Sequence, residues 1–326
     1  MSARKRLKIA ITDYWKDAVP ERLIKGDYFY SLLSRNFDLE LSEDPDLLFF
    51  SVFGSEHKRY NCLKVLFTGE NRKPERWEYD YSFSFSDTDE TNMFFPFFVR
   101  HPYFWELKNN QYSERLLELR SAPKSRFCNF VYSNPTPLQR RLFYLKLRNY
   151  HHIDAPGLVL NNMPHLGGGI YDKLTFLKHY KFTIAFENES VKDYTTEKLY
   201  HALAVGSIPI YWGNPDVDAW FNPESFINCT DFDDFNAVVE KVMEIDKDKK
   251  LYLKYLEANP ILPNSKLGKL NEAEVVDRLS TIADKARDLK RTARFFLSVK
   301  NPLNINLLTF GDRAHFVSAL QRCARQ

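Results

Sequence analysis

A lysine and two carboxylates stand within one short stretch of the chain, where an apolar strand is followed by a helix. Residues 183–186 read as a short buried strand, and a helix opens near Thr195 and Thr196, either of whose hydroxyls can cap it. Lys198 falls in the first helical turn, where the helix dipole disfavours a cation. The free N–H groups of a helix N-terminus attract anions, so we expect an anion such as a nucleotide diphosphate to meet Lys198.

The neighbouring Glu197 offers different chemistry, because a carboxylate accepts hydrogen bonds from the hydroxyls of a ribose or a sugar. A second interpretation stays open at this point, in which Glu197 and Lys198 merely solvate the start of the helix. The glycine that follows supports the helix itself, because Gly206 supplies the positive φ with which many helices end.

Strands alternate with helical segments on both sides of this stretch. The main apolar runs that predict buried strands are residues 7–12, 47–53, 62–67, 126–134 and 181–188. Strands separated by helices indicate parallel sheets with helices on their faces, and here two Rossmann-like domains that face a cleft. Ligands bind beyond the carboxyl ends of such strands, which is where Glu70 and the pair Glu187–Asn188 fall.

Composition narrows the class of protein. The 326 residues suffice for about two domains, and the net charge of +3 is too small to indicate nucleic-acid binding. No apolar run approaches the roughly 18 residues of a membrane span, and the basic N-terminus lacks the apolar core and cleavage site of a signal peptide. The four cysteines are far apart, without metal-ligand spacing. We therefore expect reduced thiols in a cytoplasmic protein.

Basic residues gather in the C-terminal region between Lys285 and Arg325, where only Asp288 and Asp312 oppose them. Two interpretations are open. The region is a solvated helix that packs on the body of the protein, or it is a basic surface that touches anionic lipid at the inner membrane.

The central stretch FENESVKDYTTEKLYHALAVGSIPIYWG, residues 186–213, closely resembles the signature of the α1,3/4-fucosyltransferases of glycosyltransferase family 10. That signature joins a FEN strand end, a T-E-K helix start and a P-I-Y-W-G strand. LFTGEN at residues 66–71 resembles the T-G-E-N element of the family, and SNPTPLQRRLFYLKL resembles its S-N…R…F-Y helix. FNPESFINCTDF resembles the segment after the signature. The resemblance runs through most of residues 47–246 and is weak outside them.

The resemblance implies the GT-B architecture, an α/β fold of two Rossmann-like domains facing a cleft. We place an acceptor-side domain at residues 1–125, a donor-binding domain at 126–280 and a basic helical tail at 281–326. The resemblance also implies transfer of L-fucose from GDP-fucose to an acceptor sugar with inversion of configuration. The implied acceptor is the GlcNAc of an N-acetyllactosamine or lacto-N-biose type of oligosaccharide, and no nucleic acid is implied as a partner.

The resemblance implies two catalytic carboxylates and a nucleotide site. Glu70 is the implied base for the acceptor hydroxyl, and Glu197 is implied to bind donor hydroxyls or to stabilise the cationic sugar ring. Lys198 and the helix N-terminus are implied to hold the pyrophosphate. The positions that match the donor site of the family are Asn188, Tyr194, Thr196, Glu197 and Lys198.

One position departs from the family. Bacterial relatives carry an arginine just after the glycine-rich stretch, where it contacts the diphosphate, but GGGIYDK places Asp172 there and Lys173 next. Either Lys173 or another cation takes over that contact. Arg140 is the second candidate, because it matches the arginine of the S-N…R helix and a guanidinium can bind phosphate oxygens bidentately.

No metal cofactor is expected, because Lys198 and the helix dipole supply the positive charge that a metal ion otherwise provides. The D-x-D sequence at Asp87–Asp89 resembles a manganese motif of another glycosyltransferase fold, but it follows a strand of the first domain. Two alternatives to fucosyl transfer stay open. The protein is a GT-B transferase that uses another GDP-sugar, or a non-catalytic protein that binds sugars or nucleotides.

The linkage of the product is expected to depend on loops of the first domain, around residues 57–60 and 92–105. Aromatic residues are frequent in the second of these loops. They either pack in the core or stack on the acceptor.

Overall fold

The computed structural model of the protein describes residues 4–14, 24–72 and 74–298. Among these, the residues up to Phe95 and from Asn271 onward form a first unit, and Pro96–Leu270 forms a second. This division differs from the predicted boundaries in two places. Residues 96–125 lie in the second unit, where Leu119 packs with Leu174 and other apolar side chains. The chain from Asn271 onward returns to the first unit.

The first unit is built on a six-stranded parallel sheet with the strand order β2-β1-β3-β4-β5-β6. The strands are β1 (Lys5–Thr12), β2 (Phe37–Leu41), β3 (Leu47–Phe50), β4 (Leu63–Phe67), β5 (Tyr81–Ser84) and β6 (Asn92–Phe94). Every residue of β3 and β4 is buried, in agreement with their continuous apolar runs. Because all the strands run parallel, their carboxyl ends lie at one edge of the sheet, and Glu70 follows β4 there.

The second unit is built on a five-stranded parallel sheet with the strand order β11-β10-β9-β7-β8. The strands are β7 (Arg126–Asn129), β8 (Ile153–Asp154), β9 (Tyr180–Phe186), β10 (Ile208–Trp212) and β11 (Ile227–Asn228). β9 is the central strand and is buried along almost its whole length. The predicted α/β class and the two successive parallel sheets are confirmed.

Helices flank these strands along the described chain. They are α1 (Tyr28–Leu33), α2 (Phe104–Asn109), α3 (Glu114–Ser121), α4 (Leu138–Leu147), α5 (Ile170–Leu177), α6 (Glu197–Ala204), α7 (Phe235–Lys247), α8 (Lys249–Glu257) and α9 (Glu272–Ser298). Several begin at an acceptor side chain that satisfies the first N–H groups, such as Asp27 for α1 and Asp234 for α7.

The aromatic run before α2 contributes to the core. Phe95, Phe98 and Phe104 are fully buried. Phe98 stacks on Tyr200 of α6, with 5.5 Å between the ring centroids and 13° between the planes. For these three phenylalanines, core packing is therefore the correct one of the two interpretations.

The C-terminal helix α9 packs on the first unit through buried side chains that include Val275 and Leu279. Its basic residues also bind the first unit. Arg287 Nε donates to the Arg6 carbonyl at 2.7 Å, and Lys290 Nζ donates to the Pro45 carbonyl at 2.8 Å. The described part of the predicted tail is thus a packed helix. The rest of that tail, residues 299–326, lies outside the described residues. No helix in the described ranges is both long and apolar enough to cross a membrane.

Candidate active site

The β9–α6–β10 segment brings the predicted donor-site residues together. β9 ends at Phe186, and the loop of residues 187–196 connects it to α6. β10 returns parallel to β9, with Trp212 beside Phe186. Gly206 follows α6 with a φ of +68°, as predicted. The start of α6 therefore lies at the carboxyl edge of the second sheet.

Glu187, the residue directly after β9, has no exposed surface. Its carboxylate accepts hydrogen bonds from the backbone N–H and the hydroxyl of Thr196, both at 2.7 Å, and from Lys198 Nζ at 3.0 Å. A buried carboxylate needs such partners, because burying it unpaired is very costly. The sequence predicts the position of Glu187 at the sheet edge but suggests no role for it. An acidic residue directly after a buried strand is the signal that could have found it.

Four side chains form what we call the charge cluster: Lys173, Glu187, Glu197 and Lys198. Lys198 Nζ lies 3.0 Å from Glu187 Oε2 and 3.8 Å from Glu197 Oε1. Lys173 Nζ lies 3.9 Å from the same oxygen of Glu197. The predicted residues Glu197, Lys198 and Lys173 are therefore neighbours, and together with Glu187 their formal charges sum to zero.

Burial and charge act in opposite directions on these groups. Burial acts to lower the pKa of Lys198, but Glu187 and Glu197 outweigh it and raise that pKa. Burial acts to raise the pKa of Glu197, but Lys198 and Lys173 outweigh it and lower that pKa. For Lys173 burial dominates, and its pKa is lowered. The cluster thus holds Lys198 as an ammonium and Glu197 as a carboxylate, the forms that bind phosphate and sugar hydroxyls.

The prediction that Thr195 or Thr196 caps α6 through its hydroxyl is wrong. Thr196 occupies the cap position, but its hydroxyl donates to Glu187, and no side chain among the described residues caps the first turn of α6. The Thr195 hydroxyl accepts from Asn214 Nδ2 at 3.1 Å instead. Tyr194, which precedes them, is almost fully buried. The start of α6 thereby keeps backbone N–H groups for a ligand.

Arg140 and Asn188, two more predicted donor-site residues, contact each other. Arg140 projects from α4 and is 2% exposed. Its Nε donates to the Phe186 carbonyl at 3.0 Å, and its Nη2 donates to Asn188 Oδ1 at 2.5 Å. Arg140 therefore holds the end of β9 and the start of the following loop. Its direct contact with a diphosphate stays a prediction.

The glycine-rich stretch ends where α5 begins, at Ile170. The Asp172 carboxylate lies against these glycines, because a Cβ added to Gly167 would stand 2.8 Å from Asp172 Oδ2. Lys173, the next residue, reaches Glu197 instead. Of the two candidates for the role of the family arginine, Lys173 is the one that belongs to the charge cluster.

A buried histidine, His201, and a partly buried one, His101, accompany the cluster, and neither was predicted from the sequence. His201 lies on α6 one turn after Glu197 and is 3% exposed. Its Nε2 lies 3.0 Å from Nδ1 of His101, with an angle of 16° between the rings. Burial lowers the pKa of His101 to about 4 against the opposing charge of Glu197, and burial lowers the pKa of His201 as well. Both imidazoles are therefore neutral at pH 7.

Glu70, the predicted base, belongs to the first unit and follows β4. Its backbone N–H donates to Thr68 Oγ1 at 3.1 Å, and its carbonyl accepts from the Arg72 N–H at 2.8 Å. These bonds close a tight turn, and the Glu70 side chain is half-buried at the carboxyl edge of the first sheet. The structure thus places Glu70 at the predicted edge, and its catalytic role stays a prediction.

Paired lysines and carboxylates at a helix start, on the edge of a parallel sheet, suit a ligand that carries both phosphate and hydroxyl groups. Two family models match the chain. The model described as "Glycosyltransferase family 10 (fucosyltransferase) C-term" matches residues 121–301. The model described as "Alpha-(1,3)-fucosyltransferase FucT N-terminal domain" matches residues 9–105. The chain belongs to glycosyltransferase family 10, which confirms the resemblance that its motifs indicate.

Individual relatives agree with this assignment. "Alpha-(1,3)-fucosyltransferase FucT" of Helicobacter pylori is 31% identical over 296 residues, which cover 78% of this chain and 60% of that protein. "Alpha-(1,3)-fucosyltransferase B" of Drosophila melanogaster is 43% identical over 100 residues, 29% of this chain and 22% of that one. The chain thus spans at most 60% of the length of these two curated relatives.

A solved structure supports the same fold. The crystal structure of an α1,3-fucosyltransferase with GDP-fucose matches with a TM-score of 0.69 and 27% sequence identity. The match covers 86% of this chain and 91% of that one. It confirms an α/β fold of the GT-B type.

Proposed function

We propose that this protein transfers L-fucose from GDP-fucose to GlcNAc O3 of an N-acetyllactosamine-type glycan. The observation that carries the proposal is the charge cluster at the start of α6, in a chain that belongs to family 10. Lys198 and the N–H groups of α6 suit a diphosphate, and the ionised Glu197 beside them suits sugar hydroxyls.

In the proposed reaction the acceptor oxygen forms a bond to the anomeric carbon of fucose while the bond to the GDP oxygen breaks on the opposite face. This displacement inverts the configuration. GDP gains negative charge as it leaves, and Lys198 and Lys173 stabilise that charge. Glu70 takes the proton of the acceptor hydroxyl. Glu197 stabilises the positive charge that develops on the fucose ring.

We propose that the reaction requires no divalent metal ion. Two ammonium groups and the dipole of α6 supply positive charge where the diphosphate is expected. Asp89 of the D-x-D sequence instead accepts hydrogen bonds from the backbone N–H groups of Thr91 at 2.6 Å and Asn92 at 2.7 Å, which closes a turn. Turnover in excess EDTA tests the proposal. An unchanged rate supports it, and a loss of activity that Mn²⁺ restores contradicts it.

A matrix of donors and acceptors tests the main proposal. GDP-fucose and GDP-mannose are each offered with N-acetyllactosamine and with lacto-N-biose, and the linkage of any product is determined. Fucose on GlcNAc O3 of N-acetyllactosamine supports the proposal, and fucose on GlcNAc O4 of lacto-N-biose adds α1,4 activity. Transfer from GDP-mannose but not from GDP-fucose shows that the donor is GDP-mannose and contradicts the proposal. GDP binding without transfer from either donor favours the non-catalytic alternative.

We also propose a cytoplasmic location with peripheral contact to anionic lipid. The support is the basic sequence of the C-terminal region, which includes Arg313, Arg322 and Arg325. Co-sedimentation with phosphatidylglycerol vesicles tests this contact. Binding that salt reverses supports it, and equal recovery with neutral and anionic vesicles contradicts it.

A further inference from the structure

A cavity of about 200 Å³ lies at the carboxyl edge of the first sheet. Its lining includes Ser51, Gly54, His57, Arg72, Pro74 and Glu78. It adjoins the turn of the proposed base, because the backbone N–H of Arg72 donates to the Glu70 carbonyl at 2.8 Å. Pockets for drug-sized ligands measure roughly 300–1,000 Å³. The cavity therefore suits a single sugar ring better than a nucleotide.

His57 and Glu78, which line the cavity, belong to a chain of three side chains that ends at Asp13. His57 Nδ1 lies 2.7 Å from Asp13 Oδ2, and His57 Nε2 lies 3.1 Å from Glu78 Oε2. Lys58 Nζ contacts the other Glu78 oxygen at 2.8 Å. Lys58, and His57 after it, hold the pKa of Glu78 below its usual value. Glu78 is thus an ionised carboxylate fixed in position, and its side chain remains 15% exposed.

Asp13, at the inner end of this chain, has an unusual backbone conformation. It follows β1 with a φ of +57°, a region that residues other than glycine seldom occupy. Its carboxylate accepts from His57 Nδ1 and also from the backbone N–H groups of Glu56 at 3.1 Å and His57 at 2.9 Å. Backbone strain held by surrounding contacts is concentrated at functional sites. Here it positions His57, which in turn positions Glu78.

An exposed tryptophan stands next to Glu78 in the chain. Trp77 is 73% exposed, the largest value for a large hydrophobic side chain in the described part of the protein. A flat aromatic face lets the C–H groups of a sugar ring pack against it, while a nearby carboxylate accepts hydrogen bonds from the sugar hydroxyls. Glu78 lines the cavity, and Trp77 precedes it in the chain without being part of the lining.

We propose that this cavity is an acceptor subsite for one neutral hexose or N-acetylhexosamine ring, with Glu78 accepting its hydroxyl hydrogen bonds and Trp77 stacking on it. The inference rests on the proposed function, because the ring belongs to the glycan that receives fucose. Lys58 and Arg72 also line the cavity, so its charged groups offer the ring hydroxyls both donors and acceptors of hydrogen bonds.

Two variants and two matched controls test the subsite. Glu78→Gln removes the charge and keeps the shape, and Trp77→Ala removes the aromatic face. Glu75→Gln changes an exposed carboxylate three residues before Glu78 that does not line the cavity, and Leu158→Ala truncates a 69% exposed side chain of the second unit.

We expect the KM for N-acetyllactosamine to rise about 10- to 100-fold in Glu78→Gln. In Trp77→Ala it rises about 3- to 10-fold. The Kd for GDP stays at the wild-type value in all four variants.

Acceptor binding measured without transfer separates this subsite from the proposed function. Saturation-transfer NMR with N-acetyllactosamine and GDP reports binding whether or not fucose is transferred. Loss of the signal in Glu78→Gln but not in Glu75→Gln supports the subsite even if no transfer occurs. Wild-type signals in both Glu78→Gln and Trp77→Ala overturn it, as does the absence of a signal from the wild type. Trp77→Ala keeps the test valid if Glu78→Gln does not fold.

Discussion

The carboxyl edges of the two parallel sheets share a backbone plan but differ in chemistry. At the second sheet, the two lysines of the charge cluster balance its two carboxylates. At the first sheet, Glu78 contacts His57 and Lys58 at the wall of a small cavity that Arg72 also lines. Parallel topology creates a binding edge in each unit, but the side chains decide whether that edge suits phosphates or hydroxyls.

Histidines in the two units show the same contrast. His57 has both ring nitrogens against carboxylates, and it serves to hold Glu78 in place. His101 and His201 instead contact each other beside the charge cluster, and neither adds charge to it at pH 7. The exposed fractions of His57 and His201 are nearly equal, at 2% and 3%. The neighbours of each ring, rather than its burial, distinguish the two settings.

The largest expected effect is a loss of catalytic rate from a change at the edge of the first sheet, with GDP binding at the second sheet unchanged. Glu70→Gln removes the proposed base, so we expect kcat to fall about 10²- to 10⁴-fold. The Kd for GDP should stay unchanged, because the proposed donor site belongs to the other unit. Single-turnover kinetics and calorimetry measure the two quantities. Near-wild-type turnover with intact GDP binding would show that another group is the base.

Removing the buried carboxylate of the second edge is expected to destabilise the protein. Glu187→Gln leaves Lys198 without its nearest anion, and breaking a buried ion pair costs about 3–5 kcal/mol. Urea unfolding measures the loss in free energy of unfolding. Glu224→Gln, at an exposed ion pair, is the matched control and should cost less than about 1 kcal/mol. Equal losses in the two variants would contradict a special role for Glu187.

The two lysines of the charge cluster should contribute unequally to GDP binding at the proposed donor site. Lys198→Ala removes an ammonium at the start of α6, and we expect the Kd for GDP to rise up to about 100-fold. Lys173→Ala should raise it by less, about 10-fold, because the pKa of Lys173 is lowered by burial. Isothermal titration calorimetry measures both. An unchanged Kd in Lys198→Ala would refute its role in binding the diphosphate.

The histidine pair should make the second unit sensitive to acid. The pKa of His101 is about 4 in the folded protein against an ordinary 6.5, so the unfolded state binds the extra proton between these values. The contribution of His101 to stability is fully present above pH 6.5 and is lost as the pH falls, by about 2 kcal/mol between pH 7 and pH 5, and His201, whose pKa is also lowered, adds to the loss. Urea unfolding of wild type and His101→Gln at both pH values measures this loss.

The His101→Gln variant should lose about 2 kcal/mol less than the wild type over that pH range. His152→Gln is the control, because the side chain of His152 is 68% exposed. It should keep the wild-type pH dependence. Parallel pH profiles for wild type and His101→Gln would show that other groups cause the acid sensitivity.

Local pattern predicts much of this fold. The strand–helix–strand order around α6, the positive φ of Gly206 and the unusual position of Lys198 all follow from short-range rules of propensity and helix dipoles. The prediction of a threonine cap fails for a related reason. The rule considers only the backbone as a partner for the hydroxyl, whereas Thr196 binds the buried Glu187.

Contacts between distant parts of the chain could not be predicted. His101 and His201 are 100 residues apart, and Asp13 and His57 are 44 apart. A single sequence contains no periodic signal for such pairs, because they depend on how the strands are ordered in each sheet. The same limit explains the shifted domain boundaries, since the chain from Asn271 returns to the first unit only through tertiary packing.

The neutrality of the charge cluster has a consequence for how the donor site responds to ionic strength. Before any ligand arrives, Glu187 and Glu197 already compensate Lys173 and Lys198. These four side chains therefore add no net charge to the long-range attraction of anions. We expect the affinity of the proposed donor site for a diphosphate to rest mainly on short-range hydrogen bonds, and to change little between dilute buffer and the salt concentration of a cell.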